Sequence, residues 1–449
     1  MERLFGTNGV RGVVNEDMNV DLALRLGKSV GTFLDGGKVA VGTDTRLSNQ
    51  MIKNAVSAGL MSTGCDVVDL GEAATPAIQY YTREKADFGV AITASHNPPR
   101  FNGIKCIDGD GTELIRWKEE KIEDIYFSEE FELVSWEKVG KITSDDPLEP
   151  YHKAVLSKVD IDKIKKKNIT VVMDCANGAG CYTTPYLLQE LGCKVITLNA
   201  QPDGTFPGHE SEPTEENLSD LIKTVKMAEA DLGIAHDGDA DRAIFVDEKG
   251  EFLHGDKTLT LMAREIVKEK GGGKVVTPVS SSSSVKDVVV ENGGELIYTA
   301  VGSPIVARRM IEDGAVFGGE ENGGLIFADH QYCRDAAMSA VKIIEMIAEQ
   351  GPLSELVDSL PKYSLDKRGI PCPDDKKPLL LDKLKERFEG VDHDDTDGLK
   401  LYYDEGWVLI RPSGTEPKYR VYSEAKSSKD AKELGEKHQK IVKEVVESL

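Results

Sequence analysis

Two short segments hold the residue types best suited to chemistry. They are Thr93-Ala94-Ser95-His96-Asn97-Pro98 and Asp237-Gly238-Asp239-Ala240-Asp241-Arg242. The second places three carboxylates and an arginine within six residues, a poor way to build a core and a good way to hold a cation near a phosphate. The small residues Gly238 and Ala240 let Asp237, Asp239 and Asp241 converge on one ion, and oxygen-only ligands suit Mg²⁺ before Ca²⁺ or Zn²⁺. An EF-hand is excluded: Arg242 stands where its loop requires a glycine, and an apolar strand-like run precedes the aspartates. An acidic surface turn is the plain alternative, but three carboxylates so close repel one another. Arg242 could clamp a phosphate or simply balance this charge.

Ser95 could be a nucleophile, a helix N-cap or a turn residue. Beside a metal loop the nucleophile reading gains, because a serine oxygen near a divalent cation can carry and pass on a phosphoryl group. His96 and Lys105 are candidates to orient groups or handle protons there. Two glycine-rich turns add basic residues. Arg411-Pro412-Ser413-Gly414-Thr415-Glu416-Pro417, with Arg420 after it, offers guanidinium forks, hydroxyls and backbone N–H groups suited to a phosphate, though an ordinary hairpin reads the same way. Gly6 to Gly12 carries Arg11.

The chain repeats itself. Ala86-Asp87-Phe88-Gly89-Val90-Ala91 returns as Ala230-Asp231-Leu232-Gly233-Ile234-Ala235, and a weaker third copy runs through Gly314-Ala315-Val316-Phe317-Gly318. Each copy opens on a valine-rich run, at Lys38 to Gly42, Ile169 to Met173 and Lys274 to Thr277, as buried strands do. Segments of helical period lie between them, which predicts α/β layers with largely parallel strands. We therefore expect three similar α/β domains, at 1–150, 151–255 and 256–366, followed by a small α+β domain at 367–449, with a linker within residues 351–368. The corresponding turn of the third copy is Gly318-Gly319-Glu320-Glu321-Asn322-Gly323. Ligands of open α/β sheets bind beyond the carboxyl ends of the strands, so the three turns should face one central cleft.

Bulk properties bound the class of partner. In 449 residues, 40% hydrophobic and 30% charged, there is ample core for about three or four domains. A net charge of −23 argues against nucleic acid or an anionic membrane as partner, and it makes local arginines the natural anchors for an anionic substrate. The seven cysteines form no CxxC pair and read as buried thiols of a reducing compartment. With no apolar leader and no membrane-length apolar run, a cytoplasmic location is expected.

Taken together, Thr-Ala-Ser-His-Asn-Pro, Asp-Gly-Asp-Ala-Asp-Arg, Gly-Glu-Glu-Asn-Gly and Arg-Pro-Ser-Gly-Thr-Glu-Pro resemble, in order and spacing, the motifs of the α-D-phosphohexomutase superfamily. The resemblance covers essentially the whole chain. It implies an isomerase of three related α/β domains and a C-terminal lid-like domain, in which Ser95 carries a phosphoryl group and Ser95, Asp237, Asp239 and Asp241 hold one Mg²⁺. It further implies that Glu320, Asn322 and Gly323 read sugar hydroxyls, and that Arg411, Ser413, Gly414, Thr415 and Arg420 hold the substrate phosphate. Arg11, His96, Lys105 and Arg242 are then candidates for proton transfer or charge stabilisation. The implied activator is a sugar 1,6-bisphosphate. The implied partners are small-molecule sugar phosphates, with a homodimer as the assembly to test.

The opening Phe5 to Gly12 is similar to phosphoglucosamine mutases, whose usual form has Asp where this chain has Asn8. Glu321-Asn322-Gly323 stands where the bacterial form has Gln-Ser-Gly, and Val301-Gly302-Ser303 lacks the Gly-His of phosphomannomutase/phosphoglucomutase enzymes. The closest resemblance is therefore to archaeal members, for which glucosamine, hexose and pentose phosphates are all candidate substrates. Conversion of glucosamine 6-phosphate to glucosamine 1-phosphate is the expected reaction. A metal-dependent sugar phosphatase could use the same serine and aspartates, but it leaves the third turn and the second phosphate cradle unexplained.

Overall fold

A computed structural model describes residues 3–6, 8–413 and 417–448. Four sheets account for the described residues. The first has six strands, in spatial order Val10–Val13, Phe101–Asp108, Phe88–Ile92, Lys38–Thr43, Asp66–Glu72 and Ile142–Ser144. The second runs Phe252–Leu253, Ala243–Asp247, Leu232–His236, Thr170–Asp174, Lys194–Leu198, and the third Gly294–Thr299, Gly273–Pro278, Phe317–Gly319, Leu325–Phe327, Gln331–Arg334.

The internal repeat is a repeat of topology. In each sheet one strand pairs parallel on one side and antiparallel on the other: Phe88–Ile92, Leu232–His236 and Phe317–Gly319. The functional turns at 93–97, 237–241 and 320–323 each leave the carboxyl end of that strand and lead into its antiparallel neighbour. The strands form where the sequence alternates least. Val39, Ala40 and Val41, like Val171, Val172 and Met173, are fully buried, because helices cover both faces of the sheet. Each such valine or methionine side chain contributes about 1.5–3 kcal/mol on burial.

One hydrophobic core runs through the second and third domains, joining Met173 and Phe245 to Leu259, Phe317 and Ile344, while the first domain keeps its own around Val41, Val90 and Ile104. The fourth domain is an antiparallel five-stranded sheet, in spatial order Ser364–Pro371, Lys418–Ala425, Gly406–Pro412, Leu399–Tyr403 and His393–Asp394, with the long helix Ser428–Glu447 packed on it. Ser364–Pro371 thus belongs to the C-terminal sheet, although the sequence placed part of it in a linker. Its charged Asp366, Lys367 and Arg368 are tolerated because it is an edge strand, paired on one side only.

Two smaller expectations meet the structure here. The serine run at 280–284 forms a helix cap: Ser282 precedes the helix Ser283–Glu291 and its hydroxyl accepts from Ser284 N–H at 3.2 Å. All seven cysteines are free thiols, six of them buried and Cys193 half-buried. Among the described residues no helix is long and apolar enough to cross a membrane.

Candidate active site

The first two turns meet directly. Ser95, fully buried, donates its hydroxyl to Asp237 Oδ2 at 2.8 Å, although 142 residues separate them in the chain. Ser95 sits at φ +51°, in the left-handed region, where a residue with a side chain costs about 1–3 kcal/mol. A close approach of backbones makes the meeting possible: a Cβ on Gly238 would stand 2.6 Å from the Ser95 carbonyl oxygen, so only glycine fits there.

Asp237, Asp239 and Asp241 are all buried and present oxygens within 4.8 Å of one another. Asp239 Oδ1 and Asp241 Oδ1 are buried without a hydrogen-bond partner. Three convergent carboxylates with two unsatisfied oxygens, and no nitrogen or sulfur among them, fit a hard divalent cation. Burial, then the charges of Asp241 and Asp239, push the Asp237 carboxyl up from the usual carboxylate range.

Cations ring the triad. The buried Lys105 ammonium donates to Asp239 Oδ2 at 2.7 Å and Asp241 Oδ2 at 3.1 Å. Burial works against its charge, but Asp239 and Asp241 outweigh burial and raise its pKa, so Lys105 is an ammonium here. Burial would likewise raise Asp239, yet Lys105 and the Thr75 hydroxyl, 2.7 Å away, hold it well below the carboxylate range. Arg242 Nε lies 3.9 Å from Asp237 and 3.8 Å from Asp241. Arg11, on the strand beside Gly103, donates to Asn97 Oδ1 at 3.0 Å. His96 Nδ1 lies 3.4 Å from Ser95 Oγ, and burial followed by the charges of Arg242 and Arg11 takes it down to about 3, so the imidazole is neutral.

The third turn is wired to the second by a residue that sequence reasoning missed. Arg334 donates to Asp241 Oδ2 at 2.5 Å and to Glu320 Oε2 at 3.3 Å, with all three side chains buried. Glu320 also accepts from Gly302 N–H at 3.1 Å and from Asn322 at 3.5 Å. The backbone makes the same link: Ala243 N–H donates to the Gly323 carbonyl at 3.1 Å. Thr75, opening the helix Thr75–Lys85, was missed as well; its N–H donates to the Asp239 carbonyl at 3.0 Å. Nothing in the local sequence of Arg334 or Thr75 marks them, because every partner is distant along the chain.

The C-terminal residues gather separately. Arg411 and Arg420 stand directly opposite each other across two antiparallel strands, so both guanidinium groups share one face of the sheet. Arg411 Nε pairs with Asp397 at 2.9 Å, and the same Asp397 oxygen accepts from Val301 N–H of the third domain at 3.1 Å. Ser413 Oγ is buried without a hydrogen-bond partner. Gly414 and Thr415 lie outside the described residues. Like charges placed opposite each other repel, so such a face is suited to an anion.

Three turns joined at a buried serine–aspartate centre ringed by basic side chains, with a separate two-arginine face, suit an isomerase that works by moving a phosphoryl group. The comparisons agree along the chain. The four models of the phosphoglucomutase/phosphomannomutase family match in order: α/β/α domain I at residues 2–133, α/β/α domain II at 149–250, α/β/α domain III at 254–363 and the C-terminal domain at 370–439. The chain belongs to this family, within the α-D-phosphohexomutase superfamily. It is 47% identical over 455 residues to a phosphoglucomutase/phosphomannomutase of Thermococcus kodakarensis, covering 99% of this chain and all of the relative. It is 45% identical over 456 residues to a probable phosphoglucosamine mutase of Methanopyrus kandleri, covering all of both. Among solved structures it is similar to a phosphoglucomutase/phosphomannomutase family protein from Burkholderia thailandensis, at a TM-score of 0.90 and 27% identity, covering 98% of this chain and 97% of that one.

Proposed function

We propose that this phosphohexomutase interconverts glucosamine 6-phosphate and glucosamine 1-phosphate through a phosphorylated Ser95 and a sugar 1,6-bisphosphate. The observation that carries the reading is the Ser95 hydroxyl, 2.8 Å from Asp237 of an aspartate cluster that Lys105 and Arg242 pair with. The name of the full-length Methanopyrus relative supports the glucosamine substrate. The Thermococcus relative supports a second reading, in which glucose or mannose phosphates are interconverted.

In the proposed cycle a sugar hydroxyl attacks phosphorylated Ser95: the bond from phosphorus to Ser95 Oγ breaks, a bond to the sugar oxygen forms, and the hydroxyl proton leaves. That proton passes to solvent: His96, held neutral by burial and the charges of Arg242 and Arg11, is too weak a base to keep it and serves to orient Ser95 Oγ, 3.4 Å away. Lys105, held as an ammonium, supplies fixed positive charge beside the aspartates. A divalent cation held by Asp237, Asp239 and Asp241 would add charge stabilisation for the transferring group. Glu320 and Asn322 orient the sugar, while Arg411 and Arg420 grip the phosphate that is not reacting. The bisphosphate then turns over in the cleft and returns its other phosphoryl group to Ser95.

The test is an NMR time course with Mg²⁺ and a trace of sugar bisphosphate, given glucosamine 6-phosphate, glucose 1-phosphate, mannose 1-phosphate and ribose 1-phosphate separately. Fastest isomerisation of the glucosamine compound is expected. Faster turnover of another sugar replaces the substrate; free phosphate without isomer defeats the mutase reading.

A further inference from the structure

We propose that Arg46, in the turn Thr43-Asp44-Thr45-Arg46, is the positioning residue that holds Ser95 in its reactive geometry. The role rests on the mutase reading above. Every contact Arg46 makes is within the protein. Its side chain and that of Asp44 are fully buried and paired at 3.1 Å through Arg46 Nε. The other two guanidinium nitrogens are spent on the backbone of the serine turn. Nη2 donates to the carbonyls of Ser95 at 2.9 Å and Asn97 at 2.6 Å, and Nη1 to those of Pro98 at 2.8 Å and Phe101 at 3.0 Å. All five N–H groups of a guanidinium are thereby used, in one plane.

Asp44 completes the clasp from the other side. It accepts from the Thr93 hydroxyl at 2.6 Å, and that hydroxyl accepts from Ser95 N–H at 2.9 Å. Ser95 is thus held at its N–H and its carbonyl by a single buried ion pair, which accounts for a serine kept at positive φ. The face of the guanidinium lies 5.0 Å from the Phe206 ring centre. Phe206 in turn packs toward Gly238 of the aspartate loop, where a Cβ would meet its ring at 3.5 Å. Arg46 is therefore stacked between the serine turn and the wall of the aspartate loop, placed to set the direction of Ser95 Oγ relative to Asp237.

A lysine cannot substitute. Its ammonium has three donors in a tetrahedral cone, and it cannot serve four carbonyls and a carboxylate in a plane. Displacing a reacting atom by about 1 Å can lower turnover on the order of 10²-fold.

The experiment compares the full-length wild type with Arg46→Lys, Arg46→Met and the isosteric Asp44→Asn, the last chosen in case the Arg46 variants do not fold. Steady-state turnover with Mg²⁺ should show kcat lowered by ~10²-fold in Arg46→Lys, with KM for the sugar phosphate changed less than about 3-fold. Amide hydrogen exchange, which needs no activity, should show the protected amides of Ser95, Asn97 and Phe101 exchanging at least about 10-fold faster, with the distant sheets unchanged. Asp44→Asn should give the same pattern at smaller amplitude. Wild-type kcat and exchange in Arg46→Lys would overturn the proposal, as would a lower Tm with kcat per folded molecule preserved. An inactive wild type would count against the mutase reading alone, because the exchange measurement would still decide whether Arg46 holds the turn.

Discussion

Ser95 Oγ and Asp237 Oδ2, 2.8 Å apart, join the turn of one domain to the turn of the next by a fully buried hydrogen bond. The serine therefore lies at the carboxylates where a cation would bind, and under the proposed function its hydroxyl carries the phosphoryl group. Ser95→Ala should keep the fold, since it removes one hydroxyl from a small side chain, and should lower kcat by about 10⁴-fold or more. Incorporation of labelled phosphate from glucose 1,6-bisphosphate should fall to background. Retained labelling at another residue would reassign the nucleophile.

Removing divalent cations with EDTA should abolish turnover, and Mg²⁺ should restore it. In Asp241→Asn the half-saturating Mg²⁺ concentration should rise by at least ~10-fold. A thermal shift provides a second readout: Mg²⁺ should raise the Tm of the wild type more than that of the variant, because only a bound ion stabilises the folded state by mass action. Equal shifts in both proteins would remove Asp241 from the ion's ligands.

The opposed pair Arg411 and Arg420 calls for a different outcome. A hydrogen bond to a charged group contributes about 1.5–3 kcal/mol, so Arg420→Ala should raise KM for the sugar phosphate by roughly 10- to 100-fold. An unchanged KM would place the substrate phosphate elsewhere.

Lys400 should make the C-terminal domain sensitive to alkaline pH. It is buried, donates to the Val279 carbonyl of the third domain at 2.7 Å and lies 4.1 Å from the Trp407 ring centre. Burial takes its pKa down from 10.5 to about 8. Between those values the unfolded chain keeps a proton that the folded protein has released, so the contribution of this group to stability rises with pH across the window. Relative to Lys400→Met, the wild type should gain urea resistance from pH 8 to 10. Parallel curves for the two proteins would show that Lys400 keeps its proton in the folded state.

Much of this molecule was legible along the chain. Valine-rich runs bounded by glycine become strands wherever helices cover both faces, and three repeated runs make three repeated sheets. Short-range chemistry was legible too: alternating Asp237, Asp239 and Asp241 converge because a tight turn leaves them little choice, and Ser282 caps a helix from its own sequence neighbours. Tertiary structure alone decided the rest. Ser364–Pro371 is a strand because Lys418–Ala425 offers an unpaired edge, not because its own charged sequence favours one. Arg411 opposes Arg420 only through the register of their strands. Arg46 reaches carbonyls about fifty residues on, and Arg334 joins Glu320 to Asp241, 93 residues before it. A hydrogen bond or ion pair depends on separation in space, and separation in space between distant segments exists only once the chain has folded.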